Sequence, residues 1–384
     1  MKIPFTKPFV TGKEIINIRN SLDGRLSGDG PFTERAQFLI QEQLNCGKVL
    51  LTTSCTHALE MAAILLDLAE GDEVIVPSYT FVSSALAFVM HGARIVFSDV
   101  DKNTLNISAD IIKALITKKT KAIVVVHYAG VACDMDAIME IAEQSSIVVI
   151  EDNAHGIYGK YKNINLGSIG HLATLSFHET KNITCGEGGA LIVNDEKYYQ
   201  RAEIIREKGT DRSKFFRGEV DKYTWVDKGS SYLISDILAA FLCGQLEQYE
   251  SIQRRRKKIW DYYRSELSKW ATENNVVMQQ IPKYATQSYH MFYFLLQTSE
   301  HRDEFISYLK GNGITATFHY QPLHSAKFLN SKNEISYNCP VSERISSIIV
   351  RLPMYGDLSD LEMEMIVSNI KKFTCINSVK KSKC

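Results

Sequence analysis

The 384-residue sequence is informative first through what it lacks. It has no surplus charge: 44 Lys plus Arg balance 44 Asp plus Glu. Such a chain has no global pull toward nucleic acid or an anionic membrane. No apolar run approaches the roughly 18–20 residues of a membrane span. The opening "MKIPFTKPFV" has neither the apolar stretch nor the small-residue cleavage site of a signal peptide. The eight cysteines, at 46, 55, 133, 185, 243, 339, 375 and 384, form no C-x-x-C pair, which argues against a zinc site. Without an export signal they are expected as reduced thiols. Internal repeats and low-complexity segments are also missing. These absences leave a soluble cytoplasmic protein with no nucleic-acid or membrane partner. Its length suits a large core plus a smaller appendage.

The first two-thirds of the chain alternates strand-like and helix-like stretches. "GDEVIVPSYTF", "ARIVFSDV", "TKAIVVVHYAG" and "SSIVVIEDNAHG" each hold a continuous apolar or β-branched run. Continuous runs, rather than alternating ones, suit strands buried on both faces. "THALEMAAILLDLAEG", with Leu59, Ala62, Ala63 and Leu66 at helical spacing, predicts a helix ending at Gly71. The alternation predicts an α/β domain with a mostly parallel sheet. Further on, "QLEQYESIQRRRKKIWDYYRSELSKW" has neither Gly nor Pro and predicts one long helix over 245–270. Strand and helix then mix, so the expected division is a large α/β domain over 1–250 and a small C-terminal α+β domain over 251–384. The basic cluster at 254–258, with acidic Glu247, Glu250 and Glu266 nearby, is expected as a solvated helix face. The tail "KKSKC" is expected to fray.

Ligands of open α/β sheets bind outside the carboxyl ends of the strands, and several polar residues fall there. Ser54 and Cys55 precede a helix. They suit helix capping and equally a phosphate at the free N–H groups. Asp152 ends "SIVVIED", where an unpaired carboxylate is expensive to bury, and His155 follows three residues later. "SFHETKNITCGEGG" brings Ser176 and Lys181 ahead of glycines. A P-loop needs the glycines before the lysine and Ser or Thr after it, so this is not one. In this order a phosphate-type helix start, a strand-end carboxylate and a loop lysine are the parts of a pyridoxal phosphate site. The phosphate needs N–H groups and hydroxyls, the ring nitrogen a carboxylate, the aldehyde a lysine amine. The ring also takes an aromatic neighbour, for which "VPSYTFVSS" offers Tyr79 and Phe81.

On "SGDGPFTERAQ", "LTTSCTHALEMA", "VPSYTFVSSA", "VHYAGVACDMD", "EDNAHG", "SFHETKNITCGEGGAL" and "FHYQPLH", in that order and over essentially the whole chain, the sequence resembles the DegT/StrS sugar-nucleotide aminotransferases. The resemblance implies the fold type I, aspartate aminotransferase-like architecture, with a large mostly parallel-sheet domain and a smaller α+β domain. It implies pyridoxal 5'-phosphate as cofactor and a homodimer with shared active sites. Lys181 matches the family's Schiff-base lysine and Asp152 the partner of the ring nitrogen. Ser176, with Ser54 and Cys55, matches the phosphate site, and Phe81 the stacking aromatic. His155 stands where many members have glutamine near the phenolic oxygen. Many relatives also send an asparagine from the partner subunit to the phosphate. The corresponding "SSYLISD" has none, and Ser231 is the candidate substitute.

Within the family, "GDGPFTERAQ", "SFHETKN", "RAEIIREKGT" and "FRGEVDKYTWVDKGSSYL" most resemble the branch that aminates dTDP-4-keto-6-deoxy-D-glucose for enterobacterial common antigen. That implies L-glutamate as donor and dTDP-4-amino-4,6-dideoxy-D-galactose as product. Candidate substrate contacts are Arg212, Arg217, Lys222 and Tyr223 in a loop that could reach a neighbouring subunit, and His319, Tyr320 and His324 in "FHYQPLH". A zinc pair at His319 and His324 lacks further ligands. The alternatives are gluco or 3-keto specificity, a dehydratase branch that carries histidine in place of Lys181, a non-catalytic cofactor-binding regulator, and another α/β enzyme using the glycine turn as a nucleotide cradle.

Overall fold

The structure, a computed structural model, describes residues 2–330 and 337–374. The tail "KKSKC", with Cys375 and Cys384, lies outside them. The other six cysteines are free thiols. Among the described residues no helix is long and apolar enough to cross a membrane.

The apolar runs become a seven-stranded sheet. Its strands are β1 (Lys48–Thr52), β2 (Glu73–Pro77), β3 (Arg94–Ser98), β4 (Thr120–Val126), β5 (Val148–Asp152), β6 (Leu172–Ser176) and β7 (Gly189–Val193), in the order β1-β7-β6-β5-β4-β2-β3. Neighbours from β6 through β5, β4, β2 and β3 pair parallel, and β7 runs antiparallel to both β1 and β6. All five residues of β2 and of β7 are buried, as expected of strands covered on both faces. The expected mostly parallel α/β architecture is the one observed.

Helix α1 (Cys55–Leu65) stops six residues short of Gly71. Arg201 donates to the Leu65 carbonyl at 3.1 Å and pairs with Asp67, which takes a left-handed φ of 48°. A tertiary cation thus satisfies the helix end and fixes the turn. The single helix expected over 245–270 is two, α2 (Asp236–Leu246) and α3 (Tyr249–Glu273), separated at Gln248 with φ −113° and ψ 15°. No Gly or Pro marks the break. Both sides of it lie under the large sheet, where Leu246 and Ile252 pack; α3 passes between cores further along, with Ile259, Tyr263, Leu267 and Trp270 in a second one.

That second core surrounds a small antiparallel sheet of β8 (Val277–Met278), β9 (Tyr293–Leu295) and β10 (Ile349–Arg351). Phe292, Phe294 and Phe305 fill it, together with Ile3 from the N-terminus. Ile3 bridges Ile314, so the first residues are strapped onto the C-terminal part of the fold. In the basic cluster at 254–258, Arg254, Arg255, Lys257 and Lys258 are exposed as expected, and Arg256 needs correction. Arg256 is buried and donates to the carbonyls of Tyr289, at 2.9 Å, and His290. It falls on the stripe of Ile252, Ile259 and Trp260, a helical spacing that makes it a core position.

Candidate active site

A cavity of about 570 Å³ opens where the carboxyl ends of the large sheet meet the edge of the small one. Ser54, Cys55, Phe81, Asp152, His155, Ser176, Lys181, His319 and Tyr320, all flagged in the sequence, line it.

The large-sheet wall comes from strand ends. Ser54 caps α1, its Oγ accepting from the His57 N–H at 3.1 Å. The next N–H groups, of Cys55 and Thr56, belong to the helix's unpaired first turn. Strand β7 crosses so close that a Cβ on Gly189 would lie 2.3 Å from the Ser54 carbonyl carbon, so only glycine allows this packing. Burial, then the nearby Asp152 charge, pushes the Cys55 thiol up to about 12, which keeps it protonated. Ser176 closes this end from β6.

Asp152, the last residue of β5, is 5% exposed. Its Oδ2 accepts from Ser84 Oγ at 2.6 Å and its Oδ1 from the Ala154 N–H at 3.2 Å. Among the described residues it belongs to no ion pair. A nearly buried carboxylate thus faces the cavity with hydrogen bonds and no counterion.

Lys181 sits in a turn held by its own N–H on the His178 carbonyl, 2.9 Å, and by Glu179 N–H on the Gly186 carbonyl, 2.9 Å. Gly186 supplies the left-handed φ of 87° that turns the chain back toward β7. Burial lowers the Lys181 pKa to about 8, with Cys55 and Asp152 acting upward and Arg351 downward. The ammonium still dominates at pH 7, but far more of the neutral amine is present than in an ordinary lysine. The adjacent Asn182 donates to the Ser288 carbonyl at 2.7 Å and accepts from His290 Nδ1 at 2.9 Å, tying the lysine turn to the small-sheet side.

The opposite wall is aromatic and imidazole-rich. His155 and His290 stack at 4.4 Å with 16° between planes, and His319 lies 5.9 Å from His155. His155 Nε2 is 3.3 Å from the Tyr320 hydroxyl, while its buried Nδ1 has no partner among the described residues. Burial first, and the Lys181 and Arg351 charges with it, holds all three imidazoles well below the ordinary histidine range. Phe81, partly exposed, lies 6.1 Å from Tyr320. Tyr79, the other aromatic flagged there, is packed away with its hydroxyl on the His319 carbonyl.

Other flagged residues stand outside this cavity. Ser231 is exposed and bridges Glu207. Arg212 pairs with Glu207 at 2.7 Å, Arg217 with Glu203 and Glu219, and Lys222 and Tyr223 are exposed. His324 is held between Ser78 Oγ, 2.6 Å, and Glu343, 3.1 Å, whereas His319 Nδ1 meets the Tyr128 hydroxyl at 2.8 Å. The two histidines have separate partners. Conversely, His290, Arg351, Phe5 and Ser84 were not foreseen. Arg351 had a signal: it ends the apolar run "SSIIV", just as Asp152 ends "SIVVIE".

The cavity suits a phosphorylated pyridine aldehyde. Helix N–H groups and hydroxyls, a buried carboxylate with no direct ion pair, a low-pKa lysine and an imidazole nitrogen with no partner among the described residues all meet there. The sequence model of the DegT/DnrJ/EryC1/StrS aminotransferase family matches residues 10–371. The chain is 30% identical over 384 residues to the uncharacterized protein MJ1066 of Methanocaldococcus jannaschii, covering 98% of each. Among solved structures it is similar to Spr1654 of Streptococcus pneumoniae, assigned as a sugar aminotransferase, in its PLP form: TM-score 0.89, 27% identity, 97% of this chain and 98% of that one. The aminotransferase TlmJ of Streptoalloteichus hindustanus gives TM-score 0.88 at 28% identity, over 96% of this chain and 98% of that one.

Proposed function

This chain belongs to the DegT/DnrJ/EryC1/StrS aminotransferase family and is a PLP-dependent sugar aminotransferase; from that premise we propose that it moves the amino group of L-glutamate onto C4 of dTDP-4-keto-6-deoxy-D-glucose. The products are dTDP-4-amino-4,6-dideoxy-D-galactose and 2-oxoglutarate. The observation that carries the chemistry is the meeting of Lys181, Asp152, Ser54 and Ser176 on one cavity. The choice of sugar and of the enterobacterial common antigen route rests on the sequence segments that resemble that branch.

Bound pyridoxal phosphate supplies an electron sink that acidifies the proton on the donor α-carbon. Lys181 would hold the cofactor through its amine, and the neutral form that its lowered pKa provides would accept that proton. Asp152 balances positive charge at the ring nitrogen. Ser54, Cys55 and Ser176 hold the phosphate, Phe81 stacks on the ring, and the free Nδ1 of His155 serves the phenolic oxygen. His319 and Tyr320 contact the sugar.

The enzyme acts in the cytoplasm as a homodimer with shared sites, Ser231, Arg212 and Tyr223 serving the neighbouring cavity. Supporting this, their loop exposes Phe216, Tyr223 and Trp225, the last 79% accessible, an unusual aromatic surface for a lone chain. Incubation with the keto sugar and glutamate, followed by NMR of the product, tests the assignment. An axial C4 amine is expected. An equatorial amine, a dehydrated sugar, or turnover only of a 3-keto isomer would replace it.

A further inference from the structure

Asn182 and His290 form a hydrogen-bonded pair beside the lysine turn, and the proposed chemistry uses neither. Asn182 is buried and follows Lys181 directly. Its Nδ2 donates to the Ser288 carbonyl at 2.7 Å and to Gln253 Oε1 at 3.2 Å, while Gln253 Nε2 donates to the same carbonyl at 3.1 Å. Two acceptors therefore fix which end of the amide is nitrogen. That leaves Oδ1 facing His290 Nδ1, 2.9 Å away. An amide oxygen only accepts, so Nδ1 carries the imidazole proton. Burial first, then His155, Lys181, Arg256 and Arg351, holds this imidazole well below the ordinary histidine range. The ring is neutral, and its Nε2 is an unprotonated acceptor.

Of the three cavity imidazoles, only His290 has its tautomer decided in this way. His155 and His319 meet tyrosine hydroxyls, which donate or accept. His290 lines the cavity and Asn182 does not, so the side of the ring away from Asn182, with Nε2, is offered to a ligand. Among the described residues Nε2 has no hydrogen-bond partner. The ring is held in place by its stack on His155, and Ser288 Oγ donates to the His155 carbonyl behind it. Tyr289, just before His290, takes a left-handed φ of 54°, an outlier for so bulky a residue. Arg256 holds it there through the carbonyls of 289 and 290. A disfavoured backbone that is over-determined by its surroundings, next to a side chain on the cavity, points to function.

We propose that His290 Nε2 accepts a hydrogen bond from the C3 hydroxyl of the keto sugar, and that Asn182 is the positioning residue that keeps it an acceptor. The assignment rests on the aminotransferase reading above. The sugar is favoured over the amino donor by what each can give a lone pair. Apart from the ammonium that reacts, glutamate carries only carboxylates, which accept. The sugar carries hydroxyls, and the one on C3 is bonded to the carbon next to the reacting carbonyl. The Lys181 charge acts on His290, so the ring stands near the reacting group. A fixed acceptor thus separates two substrates that use one cavity in turn, by attracting a hydroxyl and repelling a carboxylate.

The first test is spectroscopic, on cofactor-loaded enzyme labelled with 15N-histidine, the His290 signals being assigned by their loss in His290→Phe. Near neutral pH His290 should be a single neutral tautomer protonated at Nδ1, and Asn182→Ala should mix in the other. A wild-type imidazolium, an Nε2-protonated form, or a tautomer that ignores Asn182→Ala would overturn the proposal. The second test measures the half-reactions separately. His290→Phe keeps a ring on His155 and should lower kcat/KM of the keto-sugar half about 10-fold, the scale of one hydrogen bond, while sparing the glutamate half. A keto sugar lacking the C3 hydroxyl should be about 10-fold poorer with the wild type and no worse with the variant. Equal loss in both halves, loss confined to the glutamate half, or a variant that penalises the 3-deoxy sugar as much as the parent sugar would overturn the contact. If His290→Phe does not fold, the wild type still decides, since a 3-deoxy sugar as good as the parent would overturn it. Should the wild type aminate no sugar at all, the functional reading falls and takes the sugar contact with it, while the tautomer still judges Asn182 by itself.

Discussion

The two walls of the cavity are built in different ways. The large-sheet wall takes each functional group from a strand end or the turn just after it: Ser54 behind β1, Asp152 on β5, Ser176 on β6 and Lys181 five residues on. Each is placed by regular hydrogen-bonded structure. The small-sheet wall takes His290, His319 and Tyr320 from irregular segments and Arg351 from a three-residue strand. Its order comes from side-chain contacts: the His155–His290 stack, Asn182 on His290, and Arg256 behind both carbonyls of 289 and 290. One wall sets its lysine, carboxylate and hydroxyl on or just behind regular elements. The other offers a cation and neutral imidazoles from irregular segments and a short strand.

The largest effect that would separate the walls is expected at Lys181. Lys181→Ala should abolish turnover, a loss of at least about 10⁴-fold, because both the covalent attachment and the proton transfer disappear. The purified variant should also lack the borohydride-sensitive visible band of the wild type. A colourless wild type with full activity would dissolve the functional distinction altogether. Next comes Asp152→Asn, which should cost about 10²-fold in kcat for both half-reactions alike, the scale of one charge-assisted contact. Equal loss in both halves is the signature of the large-sheet wall.

A smaller effect tests how the second wall is held. Arg256→Met leaves the carbonyls of 289 and 290 without their donors and should lower stability by about 2–4 kcal/mol, read from the denaturant midpoint. The visible band should persist, since Lys181 and Asp152 stand on the other wall. A variant as stable as the parent would show that the two hydrogen bonds contribute little.

The same contrast explains what was legible. Strand runs, Asp152, Ser176 and Lys181 could be found because each is local: a polar residue at the end of an apolar run, at fixed spacing. The break between α2 and α3 could not, because no Gly or Pro marks it and the residues on both sides pack in one core. Arg256 looked like surface because its neighbours at 254–258 are basic, although its spacing from Ile252 and Trp260 already marked the buried stripe. His290 had no local signal, since its role depends on Asn182, far away in sequence. Arg351 lay between: its pattern matched that of Asp152, but only the folded chain shows that no carboxylate among the described residues pairs with it.

The finest test of the comparison is the titration of Lys181 itself, on which the two walls pull in opposite directions. The amine reacts only when deprotonated. With its pKa lowered to about 8, capture of added pyridoxal phosphate by the cofactor-free protein should accelerate with pH up to about 8 and then level off, whereas an ordinary lysine near 10.5 would keep accelerating. Burial is the main cause and belongs to the cavity as a whole. The Asp152 charge stabilises the ammonium, so Asp152→Asn should move the plateau to lower pH. The Arg351 charge destabilises it, so Arg351→Gln should move the plateau to higher pH. Shifts of opposite sign would show that each wall tunes the lysine independently. Shifts of the same sign would mean that both substitutions act by changing how deeply the lysine is buried, and the walls would then be one electrostatic unit.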